Sequence, residues 1–471
     1  MKSEMKKEFA YLKLYHFFRS LIVEQKLPPG TRLPSLRSCA AEYHVSRTTA
    51  EAAYLQLAAD GYIISRPQSG YYVTELMLHR SDSTQSKSSQ SSEILYDLSS
   101  TGVDRDSFRF DLWRRYIKSA LRQDERLLSY GEPQGELDFR EVLAQYIRTQ
   151  RNILCSPEDI VVGAGVQSLL QILCPILLAY ERNYSPDTIP KHESNYSPDT
   201  IPAENLSVSF PNRTFSQGIR IFQDFGFPVH YRDKDSRIIY VTPAHMTKWG
   251  EIMPVSRRLE LIRYAAEHHS LVIEDDLENE FVYLQKPTPS LFSLAGGKDI
   301  IYIGSFSRLL LPSIRISFMI LPPVLKAYYQ KRAALYNQTA SKSEQIALAQ
   351  FIRDGHLAAQ TRRLKRLYSG KLKLLSEAVR ECFGSDCQIR TGAAGTSLAL
   401  TLSWPYGEDS FLKAMQKQKL KAQVLESTTE TITILLSASS LRTEDFSVVC
   451  AMLHRAVERD HNYFLNYSKN N

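Results

Sequence analysis

Residues 81–92, SDSTQSKSSQSS, carry no apolar side chain and cannot offset the entropy of ordering by burial, so they read as a linker. The chain of 471 residues is thereby divided into a unit of about 75 residues and one of about 375, a size that suits a large α/β body with a smaller appended subdomain. The reading is a first domain over 1–75, a linker over 76–96, a large subdomain over 97–340 and a small one over 341–471. The octapeptide NYSPDTIP occurs at 183–190 and again at 195–202; two copies are too few for a solenoid and read as a duplicated surface loop.

A net charge of +7 on a chain this long permits a polyanionic partner without demanding one. No apolar run approaches the roughly 18 residues of a membrane span, so a cytoplasmic chain with no membrane partner is expected. The six cysteines show no C-x-x-C pair and no histidine partners at metal-ligand spacing. They are expected to be reduced thiols, with no metal bound.

In the first unit, Leu14, Phe17, Phe18, Leu21 and Ile22 form the stripe of an amphipathic helix, stopped by Leu27-Pro28-Pro29-Gly30. Ser35 is placed to cap a helix running to about Tyr43, and Ser46 to cap another with Ala50, Tyr54, Leu57 and Ala58 on its inner face. Two short helices across a tight turn make a helix-turn-helix. Short strands at 62–65 and 71–74, joined by RPQSG, read as a hairpin wing. At the start of the second helix stand Ser46, Arg47, Thr48 and Thr49, whose amides and hydroxyls suit phosphate and whose guanidinium suits a guanine edge.

The order of LPSLR helix, SRTT helix and glycine-containing wing resembles the GntR family of winged-helix regulators over residues 9–75. The resemblance implies double-stranded DNA as partner. It places Arg37 and Arg47 on DNA, Ser46, Thr48 and Thr49 at phosphates, and the wing, with Arg66, Gln68 and Gly70, in the minor groove. Gln68 stands where relatives often carry glycine, which bears on how deeply the wing inserts.

Beyond the linker, SYGEPQGELDFREVLAQYI leads from a turn into a helix with Phe139, Val142, Leu143, Tyr146 and Ile147 on one face. VVGAG (161–165) then feeds a helix opening at Gln167, offering backbone amides to an anion. Apolar runs at 237–243, 270–276 and 299–307 alternate with helical stretches near 254–268 and 323–336, implying a mostly parallel sheet with sites at its carboxyl ends.

YGEPQG, GAGVQ, TPAH, VIEDD and IGSFSRLLLPSIR, in this order, resemble fold-type I aminotransferases, and the whole chain resembles the MocR subgroup of GntR regulators. That subgroup implies pyridoxal phosphate held by a lysine imine, and a head-to-tail homodimer. Here Arg308 occupies the lysine position. A guanidinium stays protonated and has no free amine lone pair for an aldehyde, so no covalently bound cofactor is expected. Asp275 matches the family's pyridine-pairing aspartate, but Leu277 replaces a tyrosine, Lys248-Trp249-Gly250 replaces a Pro-Thr-Gly turn, and 431–441 lacks the carboxylate-binding arginine.

The phosphate end survives as Ser305, Ser307, Arg315 and the amides near Gly165 and Gln167. Two readings of this remnant stand: a structural ion cluster of Arg308, Arg315 and Asp275, or a pocket for a small anionic or phosphorylated effector held without a covalent bond. For the whole chain, a regulator with a non-catalytic body stands first, and a pyridoxal-phosphate-dependent aminotransferase with an appended DNA-binding module is the alternative. A body serving dimerisation alone is a third.

Overall fold

The computed structural model describes residues 10–24, 26–67, 69–74, 94–99, 102–104, 107–184, 206–276, 279–282, 288–439 and 441–468. The linker at 81–92, Gln68, Leu277 and the duplicated octapeptide, apart from its first two residues, lie outside the described residues. The chain divides into two compact units, residues 1–91 and 92–471.

The first unit contains α1 (Ala10–Val23), α2 (Leu36–Glu42), α3 (Arg47–Ala59), β1 (Ile63–Arg66) and β2 (Gly70–Val73). Serine caps set both helix starts: Ser35 Oγ accepts from Ser38 N at 3.1 Å, and Ser46 Oγ from Thr49 N at 3.0 Å. Leu14 and Phe18 of α1, Ala50, Ala53, Tyr54 and Leu57 of α3, and Ile63 and Val73 of the hairpin form one core. Phe17, expected inside, is 42% exposed, its ring lying edge-on to Phe18 and tilted on Tyr43; Tyr15 takes the inward position. Tyr15 can be buried because its hydroxyl donates to Asp60 at 2.5 Å. The strands pair antiparallel with Arg66 opposite Gly70.

The second unit begins with β3 (Tyr96–Asp97), α4 (Phe110–Ala120), α5 (Asp124–Leu127), α6 (Leu137–Arg151), β4 (Ile160–Gly163) and α7 (Val166–Tyr184). It continues through β5 (Val208–Phe210), α8 (Ser216–Asp224), β6 (Val229–Tyr231), β7 (Ile238–Val241), α9 (Val255–Glu267), β8 (Leu271–Asp275) and α10 (Leu291–Leu294). Next come β9 (Ile300–Ser305), β10 (Ser317–Ile320), α11 (Pro323–Arg332), α12 (Lys342–Arg353) and α13 (His356–Phe383). The last elements are β11 (Cys387–Arg390), β12 (Ser397–Ser403), α14 (Glu408–Lys417), β13 (Leu420–Lys421), β14 (Gln423–Ser427), β15 (Thr431–Ser437) and α15 (Phe446–Ser468).

The main sheet runs β4-β10-β9-β8-β7-β5-β6. β5 through β9 pair in parallel, while β10 is antiparallel to both of its neighbours. Burial on both faces explains why β8 and β9 read as continuous apolar runs rather than alternating ones. Because β4 and β9 both oppose β10, their carboxyl ends, Gly163 and Ser305, flank Ser317 at one edge of the sheet.

The second core joins Leu98, the later half of α13 from Leu372, α14, α15 and the sheet β11-β12-β15-β14. It begins inside α13 and not at residue 341, because the apolar face of α12 (Ile346, Ala347, Leu348, Phe351) packs in the main core against α4 and α6. No helix among the described residues is long and apolar enough to cross a membrane.

Candidate functional site

Two groups of residues carry chemistry, one in each unit. In the first, α3 opens with exposed Arg47 and Thr48, and Arg37 projects from the first turn of α2. Ser46 Oγ lies 2.8 Å from Thr48 Oγ1 and 2.7 Å from Thr49 Oγ1, so the three hydroxyls form one cluster that also caps the helix. Arg37 and Arg47 line a cleft of about 280 Å3 with Ser35, Gly70, Tyr71 and Arg32.

Sequence reading missed Arg32. It lies in an extended stretch without periodicity, and only its bridge to Tyr72 of the wing shows that it faces this cleft while Leu33 turns into the core. Gly70 adopts φ +105°, and the place where its side chain would stand is 3.6 Å from Arg32 Nε, so the wing backbone passes close to the guanidinium. In the wing, Arg66 stacks its guanidinium over Tyr72 with 4.6 Å to the ring centroid, and Tyr72 is fixed by Ser69 at 2.7 Å. Three arginines around one cleft beside a helix N-terminus suit a phosphodiester backbone with an exposed base edge.

In the second unit, the carboxyl edge of the main sheet gathers most of the other candidate residues. Gly165 adopts φ +93°, and a Cβ there would come within 2.3 Å of Arg315 Nη2; the guanidinium therefore lies directly over the turn that opens α7. Ser317 Oγ donates to Ser305 Oγ at 2.9 Å, and Ser307 Oγ donates to the Ile314 carbonyl at 3.3 Å. Gly165, Ser305, Ser307 and Arg315 thus lie around one sheet edge. The Gln167 side chain does not join them; it is exposed and lines a separate groove with Gln171, Gln217 and Arg220.

Arg308 Nη2 donates to Thr396 Oγ1 at 3.3 Å, reaching toward the start of β12. Asp275 ends β8 and accepts from the Tyr240 hydroxyl at 2.6 Å. Burial pushes the Asp275 carboxyl up to about 6, against the downward pull of that hydrogen bond. Of the two readings, the ion cluster of Arg308, Arg315 and Asp275 is not formed: among the described residues no ion pair joins Asp275 to either arginine, and its Oδ2 accepts from Tyr240. The loop at Lys248-Trp249-Gly250 is bonded to the turn before β12, with Gly392 N donating to Trp249 O at 2.7 Å and Ala394 N to Gly250 O at 3.1 Å.

The architecture is that of a winged-helix DNA-binding head followed by an aminotransferase-like body. The gntR family of bacterial regulatory proteins matches residues 10–73. An uncharacterized HTH-type transcriptional regulator of Bacillus subtilis (strain 168), YdeL, is 34% identical over 431 residues, covering 87% of this chain and 88% of its own length. The probable rhizopine catabolism regulatory protein MocR of Rhizobium meliloti is 28% identical, covering 86% of this chain and 84% of its own. The body shares its fold with LysN, the α-aminoadipate aminotransferase of Thermus thermophilus, with a TM-score of 0.60 and 17% identity over 77% of this chain and 92% of that one.

The chain belongs to the MocR-type GntR family of HTH-type transcriptional regulators. It combines a gntR-type helix-turn-helix head with a fold-type I aminotransferase-like body.

Proposed function

We propose that the head reads double-stranded DNA through Arg37 and Arg47, steadied on phosphates by Arg32, Thr48, Thr49 and the α3 cap at Ser46, with Arg66 and Gly70 presenting the wing to the minor groove. Arg66, stacked on Tyr72, is held away from the core where it can meet a phosphate or the groove floor. The observation that carries the reading is the cleft shared by Arg32, Arg37 and Arg47. Fluorescence anisotropy of the full chain on fragments of its own upstream DNA tests it: a salt-sensitive, sequence-selective isotherm is expected, and equal affinity for every duplex would refute it.

The body serves dimerisation and non-covalent sensing, without transamination, in the cytoplasm. The residues present do not fit covalent attachment of pyridoxal phosphate: Arg308 has no amine lone pair for an aldehyde and reaches to Thr396. The phosphate end keeps its chemistry. Ser305, Ser307, Arg315 and the amides at Gly165 suit a small phosphorylated or anionic effector held by charge-assisted hydrogen bonds.

A homodimer is supported by the apolar surface around Tyr130 and Leu128, which are 100% and 89% exposed, with Leu335 at 73%. Lys342 Nζ donates to Ser129 Oγ at 2.8 Å and Gln338 Nε2 to Pro133 O at 3.2 Å, bringing the two segments side by side. Large apolar side chains this exposed on neighbouring segments mark a surface that a second copy would cover.

A further inference from the structure

From His356 to Ser376, α13 contains no acidic residue, while Arg362, Arg363, Lys365, Arg366, Lys371 and Lys373 all fall within that stretch. Three of the six are engaged by the body itself. Lys371 is buried, with Nζ 2.6 Å from Asp104 Oδ2 and donating to Leu441 O. Lys365 is half-buried within electrostatic reach of Glu280, and Lys373 Nζ stands 3.9 Å from Glu377 Oε1. Arg362 and Arg366 are exposed, and neither guanidinium has a hydrogen-bond or ion-pair partner among the described residues.

Two other exposed helical arginines of the body pair with a carboxylate one turn away. Arg114 Nη1 lies 2.6 Å from Asp111 Oδ1 on α4, and Arg220 Nε lies 2.8 Å from Asp224 Oδ1 on α8. Arg362 instead has Lys365 and Arg366 one turn ahead and two alanines one turn behind. Like charges at that spacing destabilise a helix. Packing does not ask for them, because α13 meets the core here through Leu357, Leu364 and Tyr368. One turn beyond Arg366, Gly370 stands exposed in the interior of the helix, where glycine costs stability relative to alanine. A Cβ there would meet nothing within 4 Å, so among the described residues no neighbour requires the small residue.

At 3.6 residues per turn, Arg362, Arg366, Gly370 and Lys373 fall within about 80° of the helix circumference, and at 1.5 Å per residue they span about 16 Å. About five phosphates of one DNA strand occupy that length along a duplex axis, at about 3.4 Å each. The row has cations at both ends and a position without a side chain between them, where a partner's backbone can come close to the helix. Leu374, 46% exposed, is the one large apolar side chain that α13 presents among the described residues, too little for the apolar centre of a protein interface.

We propose that this face of α13 is a second DNA surface, on which Arg362, Arg366 and Lys373 meet phosphates of a duplex whose backbone passes over Gly370. The choice of partner rests on the DNA binding of the family to which the chain belongs. The surface lies in the second unit, outside the head. It offers only cations to the sugar-phosphate backbone, so it adds affinity for any sequence and selects none.

Salt titrations of the full chain on a random-sequence duplex, followed by anisotropy, are the test. Arg362→Gln with Arg366→Gln is expected to lower the slope of log affinity against log salt by about two units and to weaken binding about tenfold or more. Arg114→Gln with Arg220→Gln removes the same net charge and should leave the slope unchanged. Gly370→Leu is expected to raise the melting temperature, leucine being the better helix former, and to weaken duplex binding. Preference for the upstream fragment over the random duplex, which reports on the head, should persist in all three. A slope unaffected by the Arg362 and Arg366 double substitution overturns the inference; poly-glutamate held by the wild type and not by that variant would then assign the face to an acidic polypeptide. An equal fall in slope for the Arg114 and Arg220 variant overturns it as well, as does undiminished duplex binding by Gly370→Leu.

Discussion

The hydroxyl of Tyr240, on β7, donates to Asp275 Oδ2 at 2.6 Å across the main sheet, so the carboxylate at the end of β8 is engaged by the protein itself. In a body with the fold of the aminotransferases, this bond takes one oxygen of a carboxylate whose charged form burial already disfavours.

The Tyr240–Asp275 bond has a pH signature. Burial holds the Asp275 carboxyl up at about 6, above its ordinary value of 3.8. The protonated form is favoured in the folded state, so the stability it contributes is present in full below the ordinary value and is lost as pH rises through about 6. Asp275→Asn keeps an acceptor for Tyr240 and removes the titration. Urea unfolding is expected to show that wild type loses about 2 kcal/mol more than this variant between about pH 4.5 and about pH 7.5. Parallel stability curves would show that Asp275 does not titrate as a buried group.

Within the head, Arg47→Ala is expected to cost about 1–3 kcal/mol at a specific site and to relax discrimination at one base step. Arg32→Ala should weaken binding to all duplexes alike and reduce the salt slope by about one unit, as the proposed phosphate contact requires. Salt titrations of both variants on specific and scrambled duplexes separate the two roles.

Ser46→Ala removes a helix cap that also gathers Thr48 and Thr49, and should destabilise the head by about 1 kcal/mol while weakening DNA binding. Ser46→Asp restores the cap. In thermal unfolding and anisotropy it should recover stability but not affinity, because it brings a negative charge to the end of α3 proposed to meet phosphate.

Light scattering should give a particle of twice 53.8 kDa at micromolar concentration, and Leu128→Ser with Tyr130→Ser should shift it toward the monomer. A monomer for the wild-type chain would remove the proposed interface.

Periodicity makes the helices of the head and the parallel run of β7, β8 and β9 legible, because Ala50, Tyr54 and Leu57 repeat at helical spacing and both-face burial demands unbroken apolar runs. The stripe overreaches at Phe17, since five apolar positions exceed what α1 buries, and Tyr15, whose hydroxyl finds Asp60, competes for the inner face. β10 carries no comparable signal: Ser317–Ile320 is four residues long, follows a serine-rich motif and has no alternation. Arg308 is legible as a side chain that forms no imine, but its reach to Thr396, 88 positions away, is not. The same holds for Tyr240 and Asp275, separated by 35 positions and joined only by strand register. Arg32 depends on the wing folding back beside it, which local sequence does not encode.

A DNA-reading regulator whose body holds no imine is told from a working aminotransferase by the visible absorbance of the purified chain incubated with pyridoxal phosphate and then reduced with borohydride. The expected result is no stoichiometric aldimine band and no reduced pyridoxyl group mapped to the body, with such a band gained in Arg308→Lys. A yellow wild-type chain, reduced to a pyridoxyl group on a body lysine and bleached by an amino acid, would show instead that the body forms the imine and reacts as an aminotransferase.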